Sequence, residues 1–292
     1  MATKDDRSEH TPVIEWLVPF LFILGGGWLM WHMPAFILDW SDWSDEARQS
    51  AFDRLSGQFQ RNDATPGLPG LFGGFADWVD YAALALIPLS AIIGIIGVRP
   101  APLEQGDWNV MDRISVFIGR VTMVLVALLL SVMLYEVVLR YVFERPTLWA
   151  NELSLWIAGF VFLFAGLYAM QQRSHIRIFL LYDQFGQNGR RICDVTSTLL
   201  IGVFAFGVIW GGYNEAVQQF YRWETLGTAF DPPLPATLAP AILITITLVW
   251  IQSISNLIRD WNKEPEVHTA ADDIDQEELA EMKRKFGSND DV

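Results

Sequence analysis

Six apolar stretches divide this chain: Val13 to Leu38, Trp78 to Val98, Ile114 to Phe143, Leu148 to Met170, Val195 to Val217 and Pro235 to Ile258. Each is near or above the roughly 20 residues that a helix needs to cross a hydrocarbon core about 30 Å thick. Lipid offers no water to unpaired backbone N–H and C=O groups, so a spanning segment must satisfy them internally, as a helix does. The sequence therefore predicts an all-α, polytopic membrane bundle of six transmembrane helices, with short interfacial helices between them.

The chain carries a formal net charge of −14 although 52% of it is hydrophobic, because most of the acids lie outside the spans. Asp5, Asp6 and Glu9 precede the first span, Asp39, Asp42, Asp45, Glu46 and Asp53 follow it, and Glu264 to Glu281 load the tail. No basic patch for nucleic acid is present, which sets that partner class aside. Cys193 is the one cysteine, so neither an internal disulfide framework nor a thiolate metal cluster can form. No Walker motif or H-E-x-x-H occurs, and no nucleophile, base and orienter assemble, so the reading is not an enzyme. His32 belongs near the outer end of the first span and His175 at the inner end of the fourth, which excludes the pair as axial ligands of one haem. Helix halves broken at mid-membrane and a carbonyl-lined filter are also lacking, so a self-contained transporter or channel is poorly supported.

Lys and Arg near span ends stay on the cytoplasmic side, whereas acids have little influence on orientation. With the N-terminus inside, Lys4, Arg7, Arg99, Arg113, Arg173, Arg177, Arg190, Arg191, Arg259 and the basic residues of the tail are cytoplasmic. Arg48, Arg54, Arg61, Arg140, Arg145 and Arg222 fall outside. The expected topology has both termini in the cytoplasm.

An N-terminal apolar run after Lys4 and Arg7 could be a secretory signal, but this one exceeds the usual h-region length and no A-x-A-like site closes it. Trp16, Trp28, Trp31 and Trp40 bracket it as an interfacial belt would. Between the first two spans, Ala47, Ala51, Phe52, Leu55 and Phe59 recur at helical spacing and predict a short amphipathic helix outside the membrane. It could cap a partner protein or rest on its own bundle or the lipid interface.

The third span, Ile114 to Phe143, would extend about 45 Å as a helix, so it must tilt or project from the bilayer. Near its outer end sit Glu136, Arg140 and Arg145, and after the turn at Pro146 come Trp149 and Glu152. Glu136 and Arg140 share a helix face and can pair; Arg140 could also reach Glu152 across the turn. These five residues are candidates for either structural pairing or docking. The segment Arg173 to Arg191, with His175, Arg177 and Arg190, predicts a cytoplasmic interfacial helix facing anionic headgroups. Gly207 and Gly211 form a small-xxx-small spacing, which alone proves no interface. In the acidic tail, Asp273 to Phe286 could form a soluble helix supported by Glu281 and Lys285.

Several of these elements recur together. They are Met111-Asp112-Arg113-Ile114, the run EVVLRYVF from Glu136 to Phe143, the turn from Pro146 through Trp149 to Glu152-Leu153, Arg173-Ser174-His175-Ile176, and Pro232, Pro233 and Pro235 before the last span. In this order and spacing, the chain from Met111 to about Asp260 resembles the small membrane subunit (Q, or DctQ-like) of tripartite ATP-independent periplasmic (TRAP) transporters. The resemblance divides the chain into a two-helix extension (1–110), a four-helix unit (111–261) and an acidic tail (262–292). It implies a sodium-coupled importer in the bacterial inner membrane, in which a periplasmic binding protein delivers a small organic anion, often a carboxylate. A large M subunit would hold substrate and sodium, and this chain, without a cofactor of its own, would brace it. A different reading makes the chain a membrane anchor or assembly subunit of another complex, such as a respiratory enzyme.

Overall fold

The computed structural model describes residues 12–39, 44, 46, 50, 76, 78–101, 108–173 and 186–261, without the side chains of 12–14, 34–39 and 187. Six long helices account for nearly all of them: α1 (Pro12–Asp39), α2 (Trp78–Gly97), α3 (Val110–Tyr141), α4 (Trp149–Gln171), α5 (Gln187–Arg222) and α6 (Leu234–Asp260). All six are long and apolar enough to cross a membrane, and no strand occurs among the described residues. The all-helical membrane bundle expected from the apolar runs is what the chain forms. The predicted amphipathic helix after Asp45, the tail helix, His175 and Arg177 lie outside the described residues.

The helix boundaries have local causes. α3 starts where Asn109 accepts from the Asp112 N–H at 2.9 Å and the Asp112 carboxylate accepts from the Asn109 N–H at 2.9 Å. This reciprocal box satisfies two of the N–H groups that a helix start leaves open. α5 ends at Trp223, whose backbone is left-handed (φ 49°) and whose N–H returns to the carbonyls of Gln219 and Phe220. The predicted interfacial helix needs correction at its far end. Arg190 and Arg191 belong to the first turns of α5, which begins eight residues before the apolar run at Val195 because a helix continues through polar residues once it leaves the lipid.

Packing is pairwise first. α1 lies against α2, α3 against α4, and α5 against α6; α4 then packs on α6 and α1 on α3. The apolar core sits between α3 and α4, where Phe117, Val121, Leu125, Trp156, Ile157 and Phe160 are buried. α1 covers one side of it through Val18, Phe22, Met30 and Trp31, with the Phe22 ring edge-on to Phe117 at 5.6 Å. α6 covers the other side through Leu234, Leu238 and Ala241. Because lipid tails are as apolar as the side chains, association here depends on close packing rather than on escape from water. Small residues permit it: a Cβ on Gly119 would overlap the Tyr168 ring, and one on Gly159 would lie 2.5 Å from Leu238.

Candidate functional site

Two layers of buried polar side chains tie the last four helices together, one at each end. The first joins the start of α3 to the ends of α4 and α6. Asp112 is fully buried and receives the Gln252 Nε2–H at 2.8 Å and a guanidinium N–H of Arg259. Gln252, also fully buried, accepts from the Ser115 hydroxyl at 2.9 Å and donates to Asn256 Oδ1 at 2.9 Å. Asn256 in turn donates to the Met170 carbonyl at 2.8 Å, at the end of α4. In hydrocarbon a polar side chain without a partner is costly, so a connected network fixes the relative position of the helices that contribute to it. Beside it, Arg173 holds Asp260 through two N–H groups, Nη2–H donating to Oδ1 at 2.9 Å. Arg191 donates to the Trp261 carbonyl at 3.0 Å and lies over the Trp261 ring at 5.2 Å from its centroid. Arg190 is buried.

The second layer occupies the other end. Glu136, 4% exposed, accepts from Arg140 Nε–H at 3.1 Å and Nη2–H at 2.6 Å, and from the backbone N–H of Thr147 at 3.1 Å. The Thr147 hydroxyl also donates to it. Glu136 thus ties α3 to the turn before α4, while Arg140 keeps about half of its side chain exposed. Arg140 does not bridge to Glu152. That carboxylate accepts from the Thr228 hydroxyl and from the N–H groups of Phe230 at 3.1 Å and Asp231 at 3.2 Å, in the loop before α6. The loop offers three convergent donors, where Arg140 could offer Glu152 only a shared guanidinium. Arg145 is exposed in the turn, and the Trp149 ring lies 5.9 Å from that of Tyr135.

A third cluster links the two helices of the extension. Asp80, fully buried near the start of α2, accepts from Trp28 Nε1–H at 2.8 Å and lies 3.2 Å from His32 Nδ1. The Trp28 and His32 rings stack at 4.5 Å. Below them, Trp31 stacks on Phe230 at 5.4 Å, which connects α1 to the loop that Glu152 holds. Gln252, Asn256 and Asp80 stand outside the residues that the sequence singles out, and Asp112 and Arg259 enter it only through the Met111 to Ile114 motif and the charge distribution. Asn109-x-x-Asp112 and the four-residue spacing of Trp28 and His32 were the available signals.

All these carboxylates are engaged in holding helices together, and among the described residues no three His, Cys, Asp or Glu side chains group as metal ligands. Residues 129–263 match the family described as tripartite ATP-independent periplasmic transporters, DctQ component. This stretch of the chain is similar to the DctQ component. It takes in the second part of α3, from residue 129, and all of α4, α5 and α6, and leaves α1 and α2 outside. A relative, the sialic acid TRAP transporter small permease protein SiaQ of Vibrio cholerae serotype O1, is 26% identical over 108 residues, which cover 37% of this chain and 62% of that protein. The match thus spans less than two thirds of the relative's length. Both the DctQ family and SiaQ are transporter components rather than enzymes. No solved structure matches the chain. Glu136, Arg140, Glu152, Gln252, Asn256 and Arg259 all fall inside the matched residues, whereas Asp112, in the first turn of α3, lies outside them.

Proposed function

We propose that the chain is the non-catalytic small subunit of a sodium-coupled TRAP importer of small organic anions. It braces the large carrier subunit in the inner membrane and helps to dock the periplasmic binding protein. The observation that carries this reading is the assignment of residues 129–263 to the DctQ component, in a bundle whose buried polar groups link helices to one another. A brace must resist deformation while its neighbour moves, and fixed hydrogen-bonded layers at both ends suit that task. Sialic acid, in the relative's name, is a carboxylated sugar, consistent with an organic-anion cargo. Sodium and substrate would bind on the large subunit, and the distribution of Lys and Arg supports both termini in the cytoplasm. The extension packs α1 onto the α3–α4 core, which favours a role in enlarging the scaffold.

The test is reconstitution with the proposed large subunit. A tagged version should copurify with that subunit, and sodium-gradient uptake of a carboxylate should require both chains and the binding protein. Uptake by liposomes that contain this chain alone would overturn the proposal, because alternating access requires a site whose exposure changes. Copurification with haem-bearing oxidoreductase subunits would assign it to an anchor role instead.

A further inference from the structure

The join between α2 and α3 holds a cavity of about 470 Å³, lined by Ile96, Arg99, Trp108 and Arg113 among others, with a predominantly polar wall. One water occupies roughly 30 Å³, and small-molecule sites begin at about 300 Å³, so the space is of ligand size. Arg113 is fixed at this join by the end of α2, donating to the Ile96 carbonyl at 3.1 Å. Carbonyl contacts orient a guanidinium without neutralising it, and each guanidinium has five N–H donors. Arg99 and Arg113 form no ion pair among the described residues. In the same wall, the buried indole Nε1–H of Trp108 has no acceptor. The cavity therefore presents donors and positive charge and calls for an anion with several acceptor oxygens. It opens beside an apolar strip: Ile96, a lining residue, is 70% exposed, and Ile92, one turn back on α2, is 57% exposed.

We propose that this cavity binds the phosphate headgroup of an anionic phospholipid, whose acyl chain lies along Ile92 and Ile96. Arg99 and Arg113 supply charge, and Trp108 supplies a neutral donor to a phosphate oxygen. The apolar strip selects a lipid over free phosphate, which would fill only the polar part. The site lies outside the DctQ match and stands whatever the complex carries.

Native mass spectrometry of the full-length protein, with phosphatidylglycerol and phosphatidylcholine of matched acyl chains, tests the site. A juxtamembrane arginine contributes roughly fivefold to anionic-lipid affinity, so the wild-type chain should retain one phosphatidylglycerol with a preference of about tenfold or more. Arg99→Gln should lower that preference about fivefold without changing the melting temperature, and Arg113→Lys should retain it. Arg99→Gln is informative even if Arg113→Gln fails to fold. Equal retention of the two lipids by the wild type would overturn the proposal, as would an unchanged preference in Arg99→Gln. A preference lost only in Arg190→Gln/Arg191→Gln would place the lipid elsewhere and also overturn it. If inorganic phosphate raises the melting temperature as much as phosphatidylglycerol does, the ligand is free phosphate and the lipid assignment fails.

Discussion

Asp112 and Gln252 stand 140 positions apart in the chain and meet through a 2.8 Å hydrogen bond with both side chains fully buried. The contact locks the start of α3 to the last turns of α6, and Arg259 brings a positive charge to the same carboxylate. Removing one partner of a buried ion pair costs more than the pair itself contributes, about 3 to 5 kcal/mol. Asp112→Ala should therefore destabilise the purified chain by an amount in that range, read from denaturation in detergent. Asp112→Ala/Arg259→Ala should lose little more than Asp112→Ala alone, whereas additive losses would mean that the two side chains do not act as a unit.

The glycines of α5 divide into two kinds. A Cβ on Gly202 would lie 2.5 Å from Trp250 Nε1, while Gly207 and Gly211 have nothing within 4 Å. Gly202→Ala should thus cost about 1 to 3 kcal/mol through overpacking against α6. Gly207→Ala should leave the melting of the isolated chain within about 0.5 kcal/mol, or raise it slightly through helix propensity. If the carrier subunit packs on this face, Gly207→Ala/Gly211→Ala should weaken copurification with no loss in the isolated chain's melting temperature.

The spans were legible because lipid dictates their length and composition; their ends were less so. Arg190 and Arg191 read as part of a surface segment, yet they begin α5, since polar residues end a hydrophobic run without ending a helix. Glu136 and Arg140 were legible as a pair because four-residue spacing is local. The partner of Glu152 was not, because it depends on the fold of the loop at Thr228 to Asp231. The contact of Asp112 with Gln252 escaped for the same reason: only the antiparallel arrangement of α3 and α6 brings the two together. The spacing of Gly207 and Gly211 suggested a packing face, but within this chain it is Gly202 and Gly212 that face α6.

Asp80 should decide whether the extension holds together. Its carboxylate is the acceptor for Trp28 and the neighbour of His32, all at the junction of α1 and α2. Asp80→Ala leaves a buried indole N–H without that acceptor, a loss of about 1 to 3 kcal/mol. Proteolysis between α1 and α2, followed by blue native electrophoresis, reads the result: the fragments should separate in Asp80→Ala and stay together in the wild type. Asp80→Asn keeps an oxygen for Trp28 and should be intermediate. Separation of the wild-type fragments would show that the cluster is not what joins the helices.

Arg140 and Glu136 form one pair with unequal burial. Glu136 is buried and keeps two donors from Thr147 when Arg140 is removed, whereas Arg140 is about half exposed and loses its one carboxylate partner among the described residues when Glu136 is removed. Glu136→Ala should accordingly lower the melting temperature of the complex at least twice as far as Arg140→Ala, because it releases the turn that carries α3 into α4. Thr147→Val should fall between them. Arg140→Ala should instead weaken docking of the binding protein, with the difference shrinking as salt rises, because an exposed charge at the rim of an interface acts mainly on association and is screened. Melting and docking affinity measured on the same three variants separate the roles. Equal melting losses for Glu136→Ala and Arg140→Ala, with unchanged docking in both, would make Arg140 a structural residue and remove it from the docking surface.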